Sequence, residues 1–286
     1  MSSDNNRHHI VAIEAVHCPI PNFDLSQPYS FDVYNWTNEV DLASRVKDAT
    51  IILTTTIRLS AETLSLQVTP ELRLIVIMAS GTDCVDKPAA KARGITVCYC
   101  PGTNVDSVSE RAIGLYFATR RKLVTLNNIT TAVPADTARD TEWKVNGSIH
   151  RRLRTADRKA PLLCYDETMG IIGKSTVLIL CLPRNSATVN LISVEELRMM
   201  PADAVLINVA RGGIVDEEAL FHALKEGSIS GAAVDVHTNE PIGRGDSPLL
   251  NPDAANLNLV LTPHLAWFTE KALQNLQAAV KCTVER

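Results

Sequence analysis

Three side chains in the second half of the sequence could together move a proton onto a carbonyl that lies beside a carboxylate. Arg211 stands two positions after the apolar run Val205–Val209, Glu240 four after Ala232–Val236, and His264 three after Leu259–Leu261. An imidazole gives or takes a proton near neutral pH. A carboxylate beside it holds the ring and favours its charged form. A guanidinium binds a substrate carboxylate through two parallel hydrogen bonds. One such residue alone reads equally well as an ordinary loop residue, but three placed alike behind three apolar runs argue for a site. If the runs are parallel strands of one sheet, all three open onto its carboxyl-terminal rim, where open α/β sheets bind ligands.

The elements needed to hold such a rim are legible along the chain. Ile10–Val16, Ala49–Leu53, Leu72–Met78 and Ile95–Tyr99 are apolar runs read as strands, and Val40–Lys47 has helical spacing. Glu62–Leu66 reads as a short helix, and Lys87–Arg93 as a helix closed by Gly94. Pro101-Gly102-Thr103-Asn104 is a turn-rich break before the longest helical segment, Ser107–Leu123, whose Val108, Ala112, Leu115 and Tyr116 share a stripe. Residues 124–161 are polar and irregular and read as a loop or arm. Strands follow at Thr176–Leu182, Val205–Val209, Ala232–Val236 and Leu259–Leu261. Between them lie a capping box at Ser193–Glu196 and a helix over Asp216–Lys225 ending at Gly227; Thr269–Val284 is helical in composition. This alternation predicts an α/β fold with parallel sheets covered by helices.

Composition narrows the function classes. A net charge of −4 over 286 residues argues against a nucleic-acid partner or an anionic membrane held by electrostatics. The one basic run, His150–Arg154 with Arg158 and Lys159, reads as a solvated loop. No apolar run is long enough to span a bilayer, and the polar start has no signal core. Seven cysteines without paired spacing predict reduced thiols in a cytoplasmic protein and no metal site; Cys98 and Cys100 alone make a poor zinc site. His8 and His9 are expected in a disordered terminus.

Longer segments carry a resemblance. Asn208-Val209-Ala210-Arg211-Gly212-Gly213-Ile214-Val215-Asp216, Asp235-Val236-His237 with Glu240-Pro241, and Thr262-Pro263-His264-Leu265-Ala266-Trp267 resemble the motifs of the D-isomer-specific 2-hydroxyacid dehydrogenases. Upstream, Leu72–Ile75, Ala79–Asp83 and Pro101–Asn104 match the substrate-domain side of that family. Trp267 and Leu182-Pro183-Arg184 look most like its glyoxylate/hydroxypyruvate reductase branch. The resemblance implies two domains: residues 1–103, with 268–286 returning, as a flavodoxin-like substrate domain, and 104–267 as a Rossmann domain for NAD or NADP. It implies that His264 is the acid/base, Glu240 its partner and Arg211 the anchor for a small 2-oxo acid such as hydroxypyruvate or glyoxylate. The backbone at Ala79, Ser80 and Gly81 would receive the substrate carboxylate. Asp235 would face the nicotinamide carboxamide, and Leu182, Pro183 and Val209 would line the cofactor channel. Gly170, Gly173, Ala210 and Ala266 complete the cofactor side. A homodimer is the expected assembly.

The resemblance breaks at Met169-Gly170-Ile171-Ile172-Gly173-Lys174. A dinucleotide cradle needs G-x-G-x-x-G and then a helix whose N-terminus meets the pyrophosphate. Here the sequence passes from Gly173 through Lys174-Ser175 to the next strand, so the nucleotide domain is incomplete. Two parallel strands need a crossover of about a dozen residues, so the runs on either side of Gly173 cannot be parallel neighbours. Three readings follow: an enzyme that binds its cofactor poorly, an inactive member acting as a binding or regulatory subunit beside an intact relative, or the product of a skipped exon or misdrawn intron boundary.

Overall fold

The protein is described by a computed structural model over residues 7–131, 172–243 and 245–286. The chain forms two compact units, Met1–Ser107 with Trp267–Arg286 and Val108–Ala266.

The first unit holds five parallel strands, β1 (His8–Ala12), β2 (Tyr29–Val33), β3 (Ile51–Thr54), β4 (Leu74–Ile77) and β5 (Thr96–Tyr99), in the order β2-β1-β3-β4-β5. Successive residues of a strand point to opposite faces. Val11, Ile13, Ile52, Ile75 and Ile77 pack with Leu42 and Val46 of helix α1 (Glu39–Val46) and Ala90 of α2 (Lys87–Ala92). Ile10, Ala12, Leu53, Val76 and Met78 pack with Leu276, Val280 and Val284 of the C-terminal helix α7 (Glu270–Val284). Burial on both faces explains why these strands read as continuous apolar runs. Asp86 caps α2 by accepting the Ala89 N–H at 3.0 Å, and Gly94 leaves the helix at a φ of 69°.

This order is the flavodoxin-like one, and its switch point lies between β1 and β3. Glu14, 1% exposed, fills it just beyond β1. Its carboxylate accepts the backbone N–H groups of Thr55, Thr56 and Ile57 and the hydroxyls of Thr54 and Thr56. Burial alone would raise its pKa, but the His17 imidazole, 3.5 Å from Oε2, and these hydrogen bonds outweigh it and hold the carboxyl at about 2.

The second unit takes most of α3 (Val105–Arg120), then α4 (Leu123–Thr131), a 3-10 turn at Ile172–Lys174, and a parallel sheet in the order β6-β7-β8-β9. Its strands are β6 (Val177–Leu180), β7 (Val205–Asn208), β8 (Gly231–Val234) and β9 (Leu259–Leu261), with helices α5 (Val194–Met199) and α6 (Glu217–Glu226). Ala112 and Leu115 of α3 cover one face through Val177, Ile179, Val205, Ile207 and Ala233. Leu197, Leu220, Phe221 and Leu224 cover the other through Leu178, Leu180 and Leu206. The capping box starts α5, where the Glu196 carboxylate accepts the Ser193 N–H at 2.9 Å. Asp216 accepts two N–H groups at the start of α6, and Gly227 ends it at a φ of 72°.

Several expectations are corrected. His8 and His9 belong to β1, and His9 Nε2 lies 2.9 Å from Asp32. β2 was not read from the sequence. Glu62–Leu66 forms turns rather than a helix. Leu123–Thr131 is helical where a loop was expected to begin. Ile172 starts a 3-10 turn instead of ending a strand. Met1–Asn6, the basic run from His150, the rest of the expected arm, and Gly170 lie outside the described residues. Among the described residues no helix is long and apolar enough to cross a membrane, and no cluster of three or more His, Cys, Asp or Glu is arranged to hold a metal ion.

Candidate active site

All four strands of the second sheet run parallel, so the segments that follow them share one rim. β7, β8 and β9 are followed there by Arg211, by Asp235 through Glu240, and by His264. His264 Nδ1 lies 2.6 Å from Glu240 Oε2, and both side chains are about one-third exposed (36% and 34%). An ionised carboxylate only accepts, so Nδ1 carries the hydrogen in this contact. The other Glu240 oxygen accepts the His237 N–H at 2.7 Å. Burial alone would raise the Glu240 pKa, but the bonds from His264 and His237 prevail and hold it below its ordinary value.

The loop that carries His264 is wrapped around Asp235. This buried carboxylate accepts the Thr262 hydroxyl and the N–H groups of Leu265 at 3.2 Å and Ala266 at 2.9 Å. The His264 N–H donates to the Asp235 carbonyl at 2.6 Å. His264 has a φ of 54°, a conformation that costs a non-glycine residue about 1–3 kcal/mol and persists where surrounding bonds over-determine it. Asp235 and Thr262 supply those bonds. His237 adds a contact from its Nε2 to the Thr262 carbonyl at 3.2 Å, while its buried Nδ1 has no hydrogen-bond partner among the described residues.

Arg211 is set by the turn after β7. Asn208, 1% exposed, accepts the Ala210 N–H and donates to the Arg211 carbonyl, both at 3.1 Å, and the Arg211 guanidinium donates to the Ala210 carbonyl at 2.8 Å. Gly212 is required by contact: a Cβ there would stand 1.7 Å from the His237 carbonyl oxygen. The turn bearing Arg211 therefore rests directly on the loop bearing Glu240.

The structure thus brings Arg211, Glu240 and His264 to one rim, with Leu182, Pro183, Val209, Ala210, Asp235 and Ala266 beside them at strand ends. The Asp235 carboxylate is turned to the His264 loop. Gly173 is not brought there: it precedes β6, at the opposite end of the sheet, 3.4 Å as a virtual Cβ from the Met199 carbonyl. Ala79, Ser80 and Gly81 follow β4 in the first unit, where Ser80 Oγ donates to Cys100 O at 3.3 Å and Asn104 Oδ1 at 3.1 Å. Gly212, His237 and Thr262 were quoted within motifs, but the residues they touch are distant in sequence, so their roles were not assigned; Asn208, which braces its own turn, was quoted without a role.

For the nicotinamide end of a dinucleotide the rim offers a suitable set of groups: the His264 imidazole, the Arg211 guanidinium and, at the ends of β6 and β7, apolar Leu182, Val209 and Ala210. At its phosphate end, no described residues form a glycine-rich turn leading onto a helix at the rim.

The model of the NAD-binding domain of D-isomer-specific 2-hydroxyacid dehydrogenases matches residues 122–266. A glycerate dehydrogenase of Methylorubrum extorquens is 32% identical over 95% of this chain and 93% of its own length; the aligned 307 positions outnumber the 286 residues here, so that relative has positions without a counterpart. A glyoxylate reductase of Thermofilum pendens is 34% identical over 81% of this chain and 76% of its own. Among solved structures, an NAD-dependent formate dehydrogenase of Staphylococcus aureus in complex with NAD superposes with a TM-score of 0.72 at 21% identity, over 97% of this chain and 95% of that one. An NADPH-dependent glyoxylate/hydroxypyruvate reductase of Sinorhizobium meliloti in complex with NADP and malonate superposes with a TM-score of 0.69 at 23% identity, over 95% and 91%. At these identities the superpositions establish the fold. With the rim geometry and the sequence relatives, the chain belongs to the D-isomer-specific 2-hydroxyacid dehydrogenases, NAD(P)-dependent oxidoreductases acting on CH–OH groups.

Proposed function

We propose that this chain reduces a small 2-oxo acid, such as hydroxypyruvate or glyoxylate, to the D-2-hydroxy acid, and runs the reverse reaction, through Arg211, Glu240 and His264. The observation that carries the reading is the 2.6 Å bond between His264 and Glu240, with Arg211 on the neighbouring strand end. Bound nicotinamide supplies the hydride to the carbonyl carbon. Arg211 holds the substrate carboxylate and turns the carbonyl oxygen toward His264. His264 gives that oxygen its Nε2 proton while Glu240 keeps the ring oriented. Asp235 holds the loop on which His264 rides. The names of the sequence relatives, glycerate dehydrogenase and glyoxylate reductase, favour this substrate class. The residues 1–103 with 268–286 would serve as the substrate domain, offering the backbone at Ala79–Gly81, and 104–267 as the cofactor domain. A cytoplasmic homodimer is part of the same reading; exposed Ile113 and Phe117 on α3 and Leu123 and Val124 on α4 are suitable apolar surface for it.

The test is turnover of hydroxypyruvate and glyoxylate against a matched ketone without a carboxylate, in wild type and Arg211→Ala. The reading expects the acids to be preferred and that preference to vanish in the variant. An equal preference in both proteins would remove Arg211 from its role.

One observation favours a second reading, an inactive member serving as a binding or regulatory subunit: the sequence from Gly173 to β6 carries no phosphate cradle. Absence of any dinucleotide binding by the folded chain, with stable pairing to an intact relative, would select it.

A further inference from the structure

The loop after β6 carries a cation that the reaction at Arg211, Glu240 and His264 does not use. Arg184 is exposed, and among the described residues it has no hydrogen-bond or ion-pair partner. Its guanidinium lies flat against the bare Cα of Gly213: a Cβ on Gly213 would stand 3.1 Å from both Cζ and one terminal nitrogen. The loop beneath it is fixed. Thr188 Oγ1 donates to the Pro183 carbonyl at 2.9 Å and accepts the Asn185 N–H at 2.7 Å, and Asn185 Oδ1 accepts the Ala187 N–H at 2.9 Å. Arg184 is thus held on a closed turn at the ligand-bearing rim with its donors unsatisfied among the described residues.

Its place along the rim says which ligand group it meets. Leu180 of β6 pairs with Asn208 of β7, so Arg184 and Arg211 stand on adjacent loops, four and three residues past the paired strand ends. The strand order puts Arg184 on the far side of Arg211 from Glu240 and His264. At about 4.8 Å per strand, β6 and β9 are roughly 14 Å apart. A two- or three-carbon acid bound between Arg211 and His264 does not span that distance. A dinucleotide does, and its phosphates are separated from the nicotinamide ring by a ribose. An arginine fork is also the side chain best shaped for a phosphate.

We propose that Arg184 binds a phosphate group of the nicotinamide dinucleotide and so supplies part of the anion site that the absent glycine-rich turn would otherwise provide. The proposal rests on the cofactor-dependent reading above and deepens it.

The experiment is equilibrium binding, by calorimetry, of NADH, NADPH and ADP-ribose to wild type, Arg184→Ala and Arg184→Lys, at low and at moderate salt, with thermal melts to confirm folding. Charge-assisted bonds to phosphate of this kind are lost at a cost of roughly tenfold or more in affinity. Arg184→Ala is expected to bind all three probes roughly tenfold or more weakly and with less salt dependence than wild type; Arg184→Lys should fall between. Equal binding by wild type and Arg184→Ala would overturn the proposal and leave the cofactor reading standing. A folded wild type that binds none of the probes would overturn both readings.

Discussion

Replacing Glu14 with Gln tests whether the buried carboxylate at the switch point of the first sheet organises that unit. The wild-type carboxyl sits at about 2 against an ordinary 4.5, because five hydrogen bonds and His17 oppose the effect of burial. A pKa depressed on folding adds stability above the unfolded value, and that stability drains away as pH falls through the folded value. The contribution is therefore complete above about pH 4.5 and gone near pH 2, and at neutral pH it amounts to ~3 kcal/mol. Glutamine keeps the shape but turns an NH2 toward groups that donate. Urea unfolding followed by tryptophan fluorescence is a suitable assay, since Trp36 and Trp267 lie in the same unit with rings edge-on to His17 at 6.3 and 6.4 Å. Glu14→Gln should be less stable than wild type by ~3 kcal/mol at neutral pH, with the gap closing as pH falls below the ordinary carboxylate range. A gap that stays constant from neutral pH down to about pH 3, or no gap at all, would refute the reasoning.

Three other substitutions probe the second unit. Glu240→Gln removes the negative charge beside the ring and leaves one acceptor oxygen where His264 Nδ1 and the His237 N–H use two; kcat should fall roughly a hundredfold, and a change confined to KM would contradict the role given to it. Because the bonds from His264 and His237 hold the Glu240 pKa below its ordinary value, any acid limb that this carboxylate sets in the wild-type rate profile should lie below that of an unperturbed glutamate. Asp235→Asn turns a donor toward Thr262, Leu265 and Ala266; a loss of about 2 kcal/mol in stability together with a slower kcat is expected from calorimetry and kinetics, and retention of both would show that the His264 loop is held otherwise. Gly212→Ala places a methyl 1.7 Å from the His237 carbonyl oxygen, so one loop must move; kcat should drop at least tenfold with a lower melting temperature, against an unchanged enzyme if the loops are not in contact.

The site was legible where chemistry follows local pattern. Arg211, Glu240 and His264 each trail an apolar run, and parallel strands with both faces covered produce such runs. The capping box at Ser193 was equally local, since a capping side chain answers an N–H within the first turn. What escaped was set by distance or by weak signal. β2, Tyr-Ser-Phe-Asp-Val, is an edge strand with two exposed residues and no continuous apolar run. Leu123–Thr131 is rich in β-branched and Asn residues, poor helix formers whose state is decided by tertiary context. Glu62–Leu66 has helical composition, yet its bonds are separate turns rather than a continuous ladder: the Ser60 carbonyl accepts the Leu64 N–H and the Glu62 carbonyl the Ser65 N–H. The clamps at Glu14 and Asp235 join residues about 40 and about 30 positions apart, which no local pattern encodes. Gly173 shows the opposite hazard. As a motif fragment it belonged with the cofactor side, and the direction of β6 places it at the other end of the sheet.

The most direct test of the account is the rate at which hydroxypyruvate consumes NADH or NADPH in wild type and in His264→Ala, with cofactor binding measured on both. The account predicts turnover by wild type, a loss of roughly a hundredfold or more in kcat for the variant, and unchanged cofactor affinity. A wild-type chain that binds cofactor yet turns over no 2-oxo acid, or a variant as fast as wild type, would contradict it.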